Sequence, residues 1–179
     1  MRNAFIALVA LSGVSVSFAA DAALAKSGDS TVTFHATATG GMKIDGTTSD
    51  LTVKDDGKVV RITVPLANLT TKMSLRDKHM KEALEVDKFP STSFAVLRTD
   101  LKFPEKGKSV TSEVPGTLNL HGVGKSVKIK YTATYDGDKY SVTTSFTVDM
   151  GAHDITKPKY AGLTVANDVN VDVAFALKE

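Results

Sequence analysis

Four histidines are the residues of this chain best suited to acid–base or metal chemistry, and their spacing argues against both. His35, His79, His121 and His153 lie 44, 42 and 32 residues apart. No two stand at the i, i+2 or i, i+4 separations that aim two imidazoles at one metal. A zinc site needs three or four ligands with oriented partners behind them, and no such set is nominated. The expectation is therefore isolated surface or loop-end histidines, no metal and no cofactor. Gly122-Val123-Gly124-Lys125-Ser126 has the look of the end of a phosphate-binding loop. Asn119, however, stands where that loop's first glycine belongs, and the residues that follow alternate as a strand rather than forming a helix. The string reads as a hairpin turn. There is no G-x-S-x-G nucleophile elbow, and Asp77, Glu82, Glu85 and Asp87 cluster as the charged side of a solvated helix. Cysteine is absent, which removes disulfides, thiolate ligands, a cysteine nucleophile and a lipidated N-terminal cysteine together. The residues do not assemble an enzyme.

Charge excludes another class. Lys and Arg number 22 against 20 Asp and Glu, a formal net charge of +2, so no strong overall field draws the chain to nucleic acid. Lys125, Lys128 and Lys130 fall on the polar side of an alternating segment, where a charged row is an ordinary solvated face.

The elements that would position any site are strands. Tyr140, Val142, Thr144, Phe146 and Val148 alternate with polar neighbours, as do Val32-Phe34-Ala36, Val60-Ile62-Val64 and Val127-Ile129-Tyr131-Ala133, the period of a half-buried strand. Eight strands are predicted, at about 31–37, 44–53, 58–64, 92–101, 114–121, 126–134, 139–149 and 169–177. Turn signals at Asp55-Asp56-Gly57, Glu105-Lys106-Gly107, Gly122-Val123-Gly124 and Asp136-Gly137-Asp138 favour antiparallel hairpins. One short helix, 75–84, is predicted between the third and fourth strands, with Ser74 as N-cap, Asp77 completing a capping box and Pro90 limiting its extent. Residues 150–167 read as a long loop over one end. Periodicity leaves a two-sheet sandwich and a closed barrel both open; a barrel removes the sheet edges and can hold one small ligand.

Residues 1–25 have the build of a secretory leader: Arg2, an apolar run from Ala4 to Val16, and small residues that allow cleavage after Ala19 or after Ala25. The run is too short and too broken by serine and glycine for a bilayer span. Residues 26–179 are then a single domain, periplasmic or secreted, without stable membrane insertion.

Three blocks carry a family resemblance. Leu75-Arg76-Asp77-Lys78-His79-Met80, Val86-Asp87-Lys88-Phe89-Pro90-Ser91-Thr92-Ser93-Phe94 and Gly116-Thr117-Leu118-Asn119-Leu120-His121-Gly122-Val123 resemble the YceI-like family of polyisoprenoid-binding proteins, in the family's order. The strand from Asp168 through Phe175 is similar as well. Two places depart from the pattern: the short first hairpin at Gly40-Gly41-Met42, and His153-Asp154-Ile155, where the family commonly has a Phe-Gly-Ile turn. The chain also lacks the tryptophan of true lipocalins.

The resemblance implies an all-β fold, an eight-stranded antiparallel lipocalin-like barrel with an apolar cavity for an isoprenoid lipid, a quinone or another amphiphile. The inward apolar positions expected to line that cavity are Phe34, Ile62, Phe94, Leu118, Leu120 and Ile129, with Tyr131, Val142, Phe146, Val171 and Phe175. Arg76 and His79, at the helix start with its free backbone N–H groups, are candidates for a polar head; the alternative is that Arg76 and Asp77 only pin the helix. A rival reading is a ligand-free structural or stress-related barrel that acts through protein–protein contacts. Oligomeric state is left open.

Overall fold

The computed structural model describes residues 23–160 and 162–179. The leader expectation falls mainly on residues 1–22, outside the described residues. The chain forms strands Ala25–Ala38 (β1), Met42–Thr48 (β2), Thr52–Asp55 (β3), Val59–Pro65 (β4), Ser91–Leu97 (β5), Ser109–Leu120 (β6), Val123–Tyr135 (β7) and Tyr140–Asp149 (β8). A short ribbon, Lys159–Tyr160 (β9) with Leu163–Thr164 (β10), precedes the last strand, Asp168–Lys178 (β11). Among the described residues the one α-helix, Ser74–Ala83 (α1), stands between β4 and β5. Nine strands make one antiparallel sheet in the order β2-β1-β11-β8-β7-β6-β5-β4-β3.

The two edge strands of this sheet, β2 and β3, are consecutive in the chain. They correspond to the single strand expected at 44–53, which the structure divides at Ser49-Asp50-Leu51. The upper half pairs with β1, Ala38 opposite Met42 and Val32 opposite Thr48. The lower half pairs with β4, Val53 opposite Ile62. One strand cannot keep both partners in a single plane, so the ladder breaks where the curled sheet meets itself, and Leu51 turns into the core there, 3% exposed. The eight-strand count is corrected to nine for this reason.

Local chemistry explains the turns. Asp56 Oδ1 accepts the N–H groups of Lys58 and Val59 at 2.9 and 2.7 Å; Asp136 Oδ1 does the same for Asp138 and Lys139. These Asx turns close their hairpins, and the donated N–H groups hold both carboxyls below the usual range. The β6–β7 turn is tighter than the expected Gly122-Val123-Gly124. It consists of His121 and Gly122, both at positive φ (53° and 75°), as a two-residue primed hairpin requires.

Three further expectations are corrected. Strand 92–101 ends at Leu97, and Arg98–Asp100 form a 3-10 turn that carries Arg98 inward onto the fully buried carboxylate of Asp55. Asp55 also accepts the N–H of Leu24 at 2.9 Å, and Arg98 reaches Glu179, so this end of the barrel is tied shut around a buried ion pair. Ser74 is not the N-cap: Met73 holds that place without a side-chain bond. Asp77 instead turns back to accept from the hydroxyl of Thr70 and from the N–H and hydroxyl of Thr71, each at 2.6 Å. Burial opposes ionisation of Asp77, but these donors outweigh it and keep the carboxyl below its usual value.

The core lies in two clusters along the inward faces. Leu24, Leu51, Val60, Val96, Val114, Ala133 and Leu177 fill the end around Arg98. Ala36, Met150, Ile155 and Val169 pack at the opposite end, beneath the 150–167 segment, which is held to β1 by a bridge between Ala38 and Val165.

Candidate functional site

Because side chains of a strand alternate, the inward faces of all the long strands converge on one lumen. That lumen is not filled: a cavity of about 560 Å³ runs through it, within the roughly 300–1,000 Å³ of typical ligand sites. All eleven apolar residues singled out from the sequence face this cavity, as do Arg76 and His79. Val142, Phe146 and Val148 line it from β8, while Thr143 and Ser145 between them are exposed.

Two glycines keep the lumen open. Gly46 lies directly opposite Phe34 in the β1–β2 ladder, and a Cβ there would stand 2.6 Å from Phe34 Cζ and closer still to Cε1. Gly116 stands diagonally across from Phe94, whose ladder partner is Leu118; a Cβ there would overlap the Phe94 ring at Cζ and Cε2 and meet the Ala95 carbonyl oxygen at 2.7 Å. Each ring therefore lies flat over a neighbouring strand that lacks a side chain, against the wall instead of across the lumen.

The lining is almost free of polar atoms. Tyr131 donates its hydroxyl proton to the Lys102 carbonyl at 3.0 Å and accepts the Lys102 N–H at 2.7 Å, so the phenol is satisfied within the wall; burial pushes its pKa up. Such a surface selects by apolar area. Polarity enters at the helix end, where Arg76 and His79, one turn apart on α1, share the lining with Thr71.

Sequence reasoning missed the cavity's other contributors at that end. Met73, Leu75, Met80 and Leu84 come from the helix and its two caps, Met42 and Ile44 from β2, and Ile155, Pro158, Leu163 and Val165 from the long loop. The helical spacing of Met80 and Leu84 was a signal for the first group. The loop residues offered none, since their approach depends on the bridge to β1.

Of the histidines expected as isolated surface or loop-end groups, two do lie in loops, but buried and linked to each other. His121 and His153 are buried, 9% and 3% exposed. His121 Nδ1 lies 3.1 Å from the His153 carbonyl, and His153 Nδ1 3.1 Å from the Val123 carbonyl. The His121 ring also packs on Phe89 with 4.5 Å between centroids, and its Nε2 is 3.3 Å from Glu85 Oε1. They anchor the β6–β7 turn to the segments crossing the cavity end. His35 lies on the outer surface between Asp45 (2.8 Å) and Asp172 (3.1 Å). The bond from Asp45 is the main cause that raises its pKa; partial desolvation opposes it, and Asp172 adds to the rise. Among the described residues, no group of three or more His, Cys, Asp or Glu side chains is placed to hold a metal ion.

Residues 24–177 match the model of the YceI-like domain. A UPF0312 protein of Pseudomonas savastanoi pv. phaseolicola is 36% identical over 99 residues, 52% of this chain and 46% of that protein. One from Pseudomonas fluorescens is 28% identical over 138 residues, 74% of this chain and 69% of that one. The chain thus spans about half the length of the first of these relatives. Among solved structures, a polyisoprenoid binding domain from Saccharophagus degradans superposes with a TM-score of 0.74 at 13% identity, covering 87% of this chain and 98% of that one. Burkholderia cenocepacia BcnA gives 0.65 at 16%, covering 82% and 95%. At these identities the likeness is one of fold.

Proposed function

Since the chain belongs to the YceI-like family, and its lumen is open and mostly apolar, we propose that it binds the hydrocarbon chain of an isoprenoid lipid, a quinone or a similar amphiphile inside the barrel. The observation that carries this reading is the 560 Å³ cavity with its apolar wall. Each methylene moved from water into such a wall contributes about 0.8 kcal/mol, so roughly ten of them supply about 8 kcal/mol before the cost of ordering the chain. The similar polyisoprenoid binding domain supports the choice of ligand class. Arg76 and His79 meet the polar head at the helix end, where the lining ceases to be apolar. No chemical step is assigned to the barrel; its role is to carry, store or sequester. The leader-like character of residues 1–25 supports export to the periplasm or beyond. A barrel filled by its own side chains and acting through surface contacts would have no use for glycines that lay two phenylalanine rings against the wall.

The test is organic extraction and mass spectrometry of protein purified from its native source, with titration of the stripped protein by a short-chain isoprenoid quinone. Stoichiometric lipid in the extract and saturable binding are expected. A preparation free of lipid that also fails to bind the quinone overturns the reading.

A further inference from the structure

Met42, Met73 and Leu75 are 38%, 53% and 51% exposed, and each also lines the cavity. An apolar side chain that faces both solvent and lumen stands where the lumen meets solvent; Phe103, 39% exposed, does so singly at the Arg98 end, whereas these three do so together at the helix end and mark the opening there. Its rim is built from 36–44, 66–76, 155–160 and 162–165. These segments contain Lys43, Lys72, Arg76, Lys157 and Lys159 and not one Asp or Glu. None of the five takes part in a salt bridge among the described residues. The carboxylates that border the first two segments are occupied: Asp45 is held by His35, and Asp77 is turned back on Thr70 and Thr71. Asp154 borders the third. The opposite end of the barrel carries both signs, with Asp56, Lys58, Glu105, Lys108, Asp136 and Lys139. Its exposed apolar ring, Phe103, packs against Tyr140 and the Arg98 guanidinium. A net charge of +2 averaged over the chain conceals this polarity.

We propose that the cationic rim docks on the surface of an anionic phospholipid bilayer. Met42, Met73 and Leu75 enter the headgroup region while the lysines and Arg76 pair with lipid phosphates, so that an amphiphile passes between bilayer and lumen without crossing bulk water. Projecting apolar side chains ringed by cations are what interfacial binding uses. Two copies meeting rim to rim would set like charges against each other. The transfer role rests on the lipid-binding reading above; the docking does not, and it is measured without any ligand.

The chain contains no tryptophan, so Leu75→Trp places a single reporter at the opening. With vesicles of phosphatidylglycerol and phosphatidylethanolamine, the expected results are co-flotation and a blue-shifted emission, both lost near 1 M salt, where the Debye length is about 3 Å. The wild type is expected to float in the same way. Lys72, Lys157 and Lys159 do not line the cavity. The combined variant Lys72→Glu, Lys157→Glu, Lys159→Glu is expected to lower partitioning at least about tenfold, with its urea midpoint and its binding of soluble short-chain quinone unchanged. Equal partitioning into pure phosphatidylcholine vesicles, or indifference to the charge reversal, overturns the proposal. So does absence of flotation, including where sedimentation shows the rim engaged in self-association or with a soluble protein. Flotation by a protein that binds no quinone leaves docking intact and removes the lipid-carrier reading instead.

Discussion

Gly46→Ala should narrow the lumen without breaking the fold. The new methyl group would stand 2.6 Å from Phe34 Cζ, and closer to Cε1, whereas carbon atoms prefer about 3.5–4.0 Å. The ring must therefore retreat by roughly an ångström or more, and the cavity that it lines offers that room. Overpacking in a solid core costs about 1–3 kcal/mol; here the ring moves into open space, so the lower end, about 1 kcal/mol, is expected. The displaced ring takes room from the ligand. If two to three methylenes lose their place at about 0.8 kcal/mol each, affinity falls by roughly 2 kcal/mol, or about 30-fold. Phe34→Leu in the same chain removes the clash, so the double variant should recover most of that loss in a mutant cycle. The measurements are displacement of a fluorescent amphiphile and the urea midpoint. Affinity within twofold of wild type, at an unchanged midpoint, would show that no ligand occupies this part of the lumen. A stability loss above about 4 kcal/mol would show that there was no open space for the ring.

Other outcomes follow from particular contacts. Phe146→Ala, which removes a ring lining the cavity, is expected to weaken amphiphile binding several-fold while lowering stability by less than the about 3–5 kcal/mol of a filled core; Thr143→Lys, on the exposed face, should change neither, and sensitivity there in titration or urea unfolding would contradict the strand register. Arg98→Ala leaves the fully buried Asp55 carboxylate unpaired and should cost about 3–5 kcal/mol in urea unfolding; a loss under 1 kcal/mol would mean the ion pair does not hold the closed end. Protein beginning at Ala20 keeps Leu24, which is 2% exposed, whereas protein beginning at Lys26 lacks it and should be less stable by about 1.5–3 kcal/mol; equal melting curves for the two would deny Leu24 its place in the core. The pKa of His35 is raised above its usual 6.5, so its stabilisation is complete below that value and lost as pH rises through the native one. Since the ring is 41% exposed, the effect is small; the midpoint difference between wild type and His35→Gln should be largest in mild acid and vanish in alkali, and a difference that grows with pH would reverse the assignment.

Side-chain direction was already legible in the sequence. The alternation of Val142, Thr144 and Phe146 with Thr143 and Ser145 depends only on the two-residue period of a strand, and the eleven apolar residues expected at the cavity wall all face the lumen, whereas Val127, in phase with Ile129 and Tyr131, is not part of its lining. The Asx turns at Asp56 and Asp136 were equally legible, because donor and acceptor are two or three residues apart. What alternation does not contain is partnership. The division of 44–53 into β2 and β3 arises because its halves pair with β1 and β4, and no local pattern encodes that choice. Arg98 reads as a strand-end cation until the fold brings it to Asp55, 43 residues away. Asp77 reads as half of a capping box until Thr70 and Thr71 offer it three better donors. The polarity of the rim is the same case at larger scale: Lys43, Lys72 and Lys159 are scattered and unremarkable along the chain, and only closure of the sheet gathers them around one opening. Sequence alone determined which face each residue shows, since that is set by backbone geometry within a few residues. The tertiary structure decided which faces meet, because the energies of buried ion pairs, lumen packing and gathered charge exist only once distant segments are in contact.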